Sequence, residues 1–209
     1  MQAHWYFDFI SPFSYLQLPH IARWRERIEI VPVPIAFGAI LKQVGNVGPA
    51  EIPGKREWTY RHVQWLAEHA AIPLRFPPAH PFNPLAALRL CIAAGSTWAA
   101  VGAIFAHLWR DGRAGTNAAE LADVGHALGI GNVVAAIDTA AVKAQLRSNT
   151  DGALAIGVFG VPTLSVSGER FWGNDASPMI DEWLDDPQRF DGPEYRRIAT
   201  LPIGIERAR

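Results

Sequence analysis

Cysteine is almost absent from this chain. Cys91 stands alone among 209 residues, so no internal disulfide can form. A charge excess of either sign is missing too: 19 Lys and Arg set against 20 Asp and Glu leave a formal net charge of −1. Nothing is left over to neutralise a phosphate backbone, which excludes nucleic acid as an expected partner. The arginines near the end (Arg196, Arg197, Arg207 and Arg209) are interspersed with Glu194 and Glu206 and read as a solvated terminus. No uninterrupted apolar run approaches the ~18–20 residues of a membrane span. The opening Met1-Gln2-Ala3-His4-Trp5 lacks the basic start, apolar segment and cleavage site of a secretory signal. With the single cysteine, this makes the cytoplasm the expected compartment. Metal-ligand spacing is also lacking. The seven His form no His-x-x-x-His or Cys/His pattern, and His62 and His69 lie too far apart for an i, i+4 clamp. There is no Walker-type or dinucleotide-type glycine pattern and no internal repeat.

What is present suits a globular enzyme-sized chain, 49% hydrophobic and 19% charged, long enough for one large domain or two small ones. His4 to Ile10 is an aromatic and apolar run with the length of a buried strand. Ser11-Pro12 reads as a helix start, with Ser as N-cap and Pro at the first helical position. That helix is expected to reach about Arg25, with Tyr15, Leu18, Ile21 and Ala22 facing inward. Ile28 to Ile35 follows as a second strand, and its prolines cannot donate to a ladder, so part of it is expected to lie at a sheet edge or to be irregular.

After a loop marked by Gly45-Asn46-Val47-Gly48-Pro49 and Ile52-Pro53-Gly54, helical periodicity takes over. Four stripes succeed one another: Val63, Leu66, Ala70; Leu85, Leu88, Ile92; Trp98, Val101, Phe105, Leu108; and Leu121, Val124, Leu128. Asn117 with Glu120 resembles a capping box for the fourth. Phe76 to Pro84 is too rich in proline for helix, and a fifth helix is expected from about Thr139 to Ala155. Thr163–Val166 and Arg170–Trp172 then flank Ser167-Gly168-Glu169 as a hairpin. Asn174 or Asp175 is expected to cap a last helix, with Ile180, Trp183 and Leu184 inward. The order is β-α-β, a helical block, then β-β-α.

Two features could carry chemistry. Ser11 sits where strand gives way to helix, and the unpaired N–H groups there stabilise an anion by roughly 0.3–1 kcal/mol. As a nucleophile Ser11 would need an adjacent base, and no His is placed to act as one. Its alternatives are a plain helix cap and a hydrogen-bond donor to an anion brought by another molecule. The second feature is Gly160-Val161-Pro162-Thr163 at a strand entrance. A cis Val161–Pro162 bond would free the Val161 backbone to pair with an extended peptide; an ordinary turn proline is the alternative.

Taken together, these features resemble the thioredoxin superfamily in its DsbA-like branch, where a Cys-x-x-Cys pair opens the first helix opposite a cis-proline loop. Ser11 and Ser14 stand at the two cysteine positions, which excludes dithiol chemistry. More narrowly, four blocks resemble the 2-hydroxychromene-2-carboxylate isomerases, relatives of the kappa-class glutathione transferases. They are Phe7 to Leu16, Gly45 to Pro49, Phe159 to Thr163 and Trp172 to Asp175.

The resemblance implies an α/β thioredoxin-like fold at 1–40 and 156–190, an inserted all-helical domain at 41–155 and a C-terminal tail at 191–209. It implies glutathione as cofactor, with Ser11 hydrogen-bonding the glutathione sulfur as the catalytic residue. Val161, beside Pro162, pairs its backbone with the cysteinyl part, while Asn46, Asn174 and Asp175 hold the ends of the tripeptide. The implied reaction is cis–trans isomerisation of a 2-hydroxychromene-2-carboxylate or similar aromatic carboxylate by reversible thiolate addition, in a homodimer. A kappa-like transferase and a non-catalytic glutathione- or peptide-binding protein are the alternatives. In one departure, Ala176 stands where family members often carry Arg.

Around these, Lys42, Lys55 and Arg56 border the loop and could meet a carboxylate, and Trp5, Trp58 and Trp172 could approach the cleft. His80 could line an acceptor pocket, although a hydrogen-bonded loop histidine is the plainer reading. Cys91 is expected to be a small core residue.

Overall fold

The computed structural model describes residues 1–205; Glu206, Arg207 and Arg209 of the expected solvated terminus lie outside the described residues. The chain opens with β1 (Gln2–Phe7), α1 (Pro12–Trp24) and β2 (Glu29–Pro34). Seven helices follow: α2 (Phe37–Gln43), α3 (Lys55–His69), α4 (Leu85–Ala93), α5 (Trp98–Phe105), α6 (Ala122–Ala127), α7 (Val133–Asp138) and α8 (Ala140–Ala155). It closes with β3 (Thr163–Val166), β4 (Glu169–Trp172), α9 (Ser177–Asp185) and α10 (Pro193–Ala199). The four strands lie in the order β2-β1-β3-β4, with β2 parallel to β1 and the other pairings antiparallel. This is a DsbA-like thioredoxin fold.

The prolines of β2 lie on an edge strand, where a missing N–H interrupts no ladder. A two-residue turn joins β3 to β4, with Ser167 at φ 50° and Gly168 at φ 89°, the positive pair that tight hairpins select. Glu169 therefore belongs to β4 and not to the turn.

β1 alternates between two apolar layers. Ala3, Trp5 and Phe7 face the larger, where Trp5 stacks on Phe7 at 4.5 Å and Phe9 meets Phe105 at 4.6 Å. That core runs without interruption from the sheet into α3, α4 and α5, so the helical block and the sheet share one interior. Tyr6 faces the smaller layer with Ile35, Ile40, Ala153, Val158 and Val161, closed by α2 and α8.

Several expectations need correction. Ala22 is exposed; the inner face of α1 is Ser14, Tyr15, Leu16, Gln17, Ile21 and Trp24. Trp5 is fully buried in the core rather than near a cleft. Ala70 is exposed beyond the end of α3. Asn117 Oδ1 accepts the Glu120 N–H as a capping box requires, but Glu120 reaches back to the N–H of Thr116 rather than Asn117, and α6 itself starts only at Ala122. Neither Asn174 nor Asp175 caps α9. They lie in a 3-10 turn, Asn174–Ala176, and the N-cap position falls to Ala176 without a side-chain bond. Helices α2, α7 and α10 are additions, each only six or seven residues long.

Candidate active site

Ser11 closes the turn between β1 and α1. Its N–H donates to the carbonyl of Asp8 at 3.1 Å, and its Oγ accepts the N–H of Ser14 at 3.2 Å. The residue is therefore a helix cap in an extended conformation, followed by Pro12. Capping uses an oxygen lone pair and leaves the hydroxyl hydrogen, which no acceptor among the described residues takes. Cap and anion donor are thus compatible roles. Ser11 is 7% exposed, so a donated bond would be little diluted by water. The N–H of Phe13, also free of any bond within the described residues, adds a donor at the same helix terminus.

Asp8 lies fully buried beneath this turn, its Oδ1 accepting the Ile10 N–H at 3.1 Å and its Oδ2 the Phe37 N–H at 2.9 Å. Burial pushes its carboxyl up to about 7, outweighing the lowering effect of the amide bonds. It therefore ties the Ser11 turn to the start of α2.

The Val161–Pro162 peptide is cis. Thr163 pairs with Tyr6 in the antiparallel ladder, so Val161 and Pro162 lie beside the end of β1, next to the Ser11 turn. Val161 is buried, yet none of the hydrogen bonds within the described residues uses its backbone N–H or C=O. A Cβ at Gly160 would run into the Trp172 indole, so the glycine lets that ring lie over the loop. Trp172 and Phe159, each about half exposed, pair edge to face at 5.0 Å on this rim.

A single buried side chain, Gln17, joins these pieces. Its Oε1 accepts the Trp5 indole N–H at 2.7 Å, and its Nε2 donates to the Gly173 carbonyl at 3.0 Å. The Gly173 N–H in turn donates to the Pro162 carbonyl at 2.9 Å. Helix α1, the cis-proline loop and the segment leading to Asn174 and Asp175 are thereby fixed to one another. The Oδ1 of Asn174 is buried without a partner, an acceptor waiting for a donor. Asp175 is exposed and forms no ion pair among the described residues. Gln17 is a residue that sequence reasoning missed. A polar side chain one turn from Ser14 on an otherwise apolar face was the available signal.

Asn46 is placed differently. It is exposed on the loop after α2, its Oδ1 accepting the neighbouring Val47 N–H at 2.9 Å, and no hydrogen bond connects it to Ser11 or Pro162. Lys42, Lys55 and Arg56 are exposed nearby in sequence; the Arg56 Nε donates to the Ala50 carbonyl at 2.6 Å. His80 is a hydrogen-bonded loop histidine, with its ring on Tyr60 and on the Ile10 carbonyl. Trp58 is exposed and packs on His62 at 4.6 Å, which in turn meets Phe13 of α1 at 6.3 Å. Cys91 is buried, and its thiol is pushed up to about 12 by that burial, so it is chemically inert. Among the described residues no group of three His, Cys, Asp or Glu could hold a metal ion, and no helix is long and apolar enough to cross a membrane.

Residues 3–185 match the DSBA-like thioredoxin domain, and the chain belongs to that family, in the branch that holds the 2-hydroxychromene-2-carboxylate isomerases and kappa glutathione transferases. A 2-hydroxychromene-2-carboxylate isomerase of Pseudomonas sp. (strain C18) is 31% identical over 84% of this chain and 86% of its own. The glutathione S-transferase kappa 2 of Caenorhabditis elegans is 27% identical over 90% of this chain and 92% of its own. A solved 2-hydroxychromene-2-carboxylate isomerase superposes with a TM-score of 0.78 at 26% identity, covering 91% of this chain and 98% of that one.

Proposed function

We propose that this protein is an isomerase that uses glutathione to interconvert cis and trans forms of a 2-hydroxychromene-2-carboxylate or a similar conjugated aromatic carboxylate. One observation carries the reading: a buried serine hydroxyl with an undirected hydrogen sits at a helix N-terminus, beside a cis-proline loop whose Val161 backbone is unpaired. The orphaned Oδ1 of Asn174 and the uncommitted carboxylate of Asp175 fit the donors of a peptide-like ligand. The relatives carry the names isomerase and glutathione transferase.

When bound, glutathione supplies a thiolate that adds reversibly to a conjugated double bond and so allows it to rotate. The chain's own part is to hold and orient. Ser11 donates its hydroxyl hydrogen to the sulfur and, with the α1 terminus, favours the ionised form. Val161 pairs in the manner of a β-strand with the extended ligand, next to Ser11. Asn174 and Asp175 engage its polar end; Asn46 reaches it from the opposite loop. Ala176, with no cation to offer, leaves recognition of any carboxylate to Lys42, Lys55 or Arg56.

The test follows a conjugated aromatic substrate by absorbance with and without glutathione. Conversion to the trans isomer with the glutathione pool undiminished supports an isomerase. Accumulation of a stable adduct indicates the transferase reading, which the kappa relatives favour, and binding without turnover indicates a non-catalytic protein. Ser11→Ala should lower turnover about 10²- to 10³-fold, the usual loss when one donor to a developing anion is removed. Wild-type rates in that variant, with glutathione still bound, would remove Ser11 from the mechanism.

A further inference from the structure

We propose that His80, a residue of the helical insertion, is a positioning residue for Ser11, gripping the peptide plane that presents the serine. The Ile10–Ser11 peptide is planar, so its carbonyl and its N–H move together. Its carbonyl lies 2.9 Å from His80 Nε2, and its N–H donates to the Asp8 carbonyl at 3.1 Å. One plane is thus held at both ends, by side chain on one side and by backbone on the other. Rotating it would break both bonds and swing the Ser11 side chain off the α1 terminus.

The chemistry of the grip assigns its protons. A carbonyl can only accept, so Nε2 carries the hydrogen and donates. In the neutral ring Nδ1 is then an acceptor, and the Tyr60 hydroxyl lies 2.8 Å from it and 2.6 Å from the His80 carbonyl. Burial favours this neutral form. The Ile10 carbonyl thereby fixes the tautomer. The Tyr60 hydroxyl, whose one hydrogen goes to the His80 carbonyl, braces the other side of the ring, and the ring is held edge-on against Trp109 with centroids 5.4 Å apart. Trp109 grips the preceding carbonyl, donating its indole N–H to Phe9 at 2.8 Å. Two consecutive carbonyls before Ser11 are therefore held by the helical block. The insertion sets the geometry of the serine turn without contributing the serine.

The placement of Ser11 stands on these contacts alone; its consequence for catalysis rests on the glutathione reading above. The experiment uses the full chain in two variants: His80→Phe keeps an aromatic ring and loses the donor, and His80→Gln restores an N–H near the position of Nε2. In ligand-free protein, amide exchange is measured at Ser14, whose N–H bonds Ser11 Oγ, against amides in β1 and β3. His80→Phe should speed Ser14 exchange about tenfold, the equivalent of one hydrogen bond, with the strand amides unchanged. His80→Gln should stay within about threefold of wild type.

With glutathione, the pH at which the bound thiol ionises should rise in His80→Phe and return towards wild type in His80→Gln. Unchanged Ser14 exchange in His80→Phe overturns the inference, as does failure of Gln to protect Ser14 while the strands stay intact. If His80→Phe loosens the strands too, the Gln variant decides: Ser14 protected supports the grip, Ser14 exposed overturns it. A wild-type protein that never forms the bound thiolate overturns the proposed function instead, and the ligand-free exchange still decides the role of His80.

Discussion

The two sides of the candidate site are built on opposite plans. On the sheet side, Pro162 and Gly173 are joined by a backbone bond and tied to the helix that Ser11 caps by the buried Gln17, which spans 156 residues to reach the Gly173 carbonyl. On the other, the Gly45–Pro49 loop is held by contacts of short range: Asn46 to Leu41 and Val47, and Gly48 to Glu51. The first arrangement sets geometry before a ligand arrives, which is where a reactive sulfur gains from preorganisation. In the proposed function the second would let Asn46 close on the ligand after it has bound, at the cost of ordering that side chain on binding. Asp8 joins the two, since one of its oxygens holds the Ser11 turn and the other the first N–H of α2, the helix that leads into the loop.

Breaking that joint should produce the largest effect. The folded Asp8 carboxyl titrates at about 7, above its ordinary 3.8. The folded state therefore holds the proton more tightly than the unfolded chain between those values. Its contribution to stability is complete below about pH 4 and is lost as pH rises through 7, by at most about 4 kcal/mol. Asp8→Asn cannot ionise, although its amide group must face one of the two backbone donors and costs about 1–3 kcal/mol at low pH. The difference in melting temperature between variant and wild type should thus move in the variant's favour from pH 4 to pH 8. A difference that does not vary with pH would show that Asp8 is not the titrating group.

The next pair of changes contrasts the two sides directly. Gln17→Leu leaves the Trp5 indole N–H and the Gly173 carbonyl without their partner, and should destabilise the fold by about 2–3 kcal/mol in chemical unfolding. Glutathione binding should weaken with it, because the Asn174–Asp175 segment is no longer fixed to α1. Asn46→Ala should leave stability within about 0.5 kcal/mol and raise the glutathione concentration for half-saturation about tenfold. Equal losses of stability in the two variants would mean that the loop is as preorganised as the sheet side.

The same contrast governs what could be read from the sequence. The strands, the long helices and the serine at the helix start follow from local patterns, and the strand–helix order emerges from periodicity alone. The three additional helices are short, and α2 begins where the edge-strand prolines end, so no full stripe announces them. Periodicity gives a face but not the partner that covers it: α1 turns Gln17, not Ala22, towards the interior, and Trp5 goes to the core rather than to a cleft. Likewise the buried links through Asp8, Gln17 and His80 depend on residues 29, 156 and 70 positions apart, which only the fold brings together.

Ser14 offers the smallest and most discriminating change. It occupies the second cysteine position of the DsbA pattern, is fully buried, and its hydroxyl oxygen has no hydrogen-bond partner. A buried hydroxyl left unpaired is a cost, and alanine is the better helix former by a few tenths of a kcal/mol. Ser14→Ala should therefore be neutral or stabilising by up to about 1 kcal/mol in thermal unfolding, with turnover within about twofold of wild type. Ser11→Ala, three residues away, should lose activity while its stability falls by about 1 kcal/mol through the missing cap. If Ser14→Ala instead loses activity as Ser11→Ala does, its unpaired hydroxyl is a second donor to the ligand. The two serines would then have inherited both positions of the dithiol site rather than one.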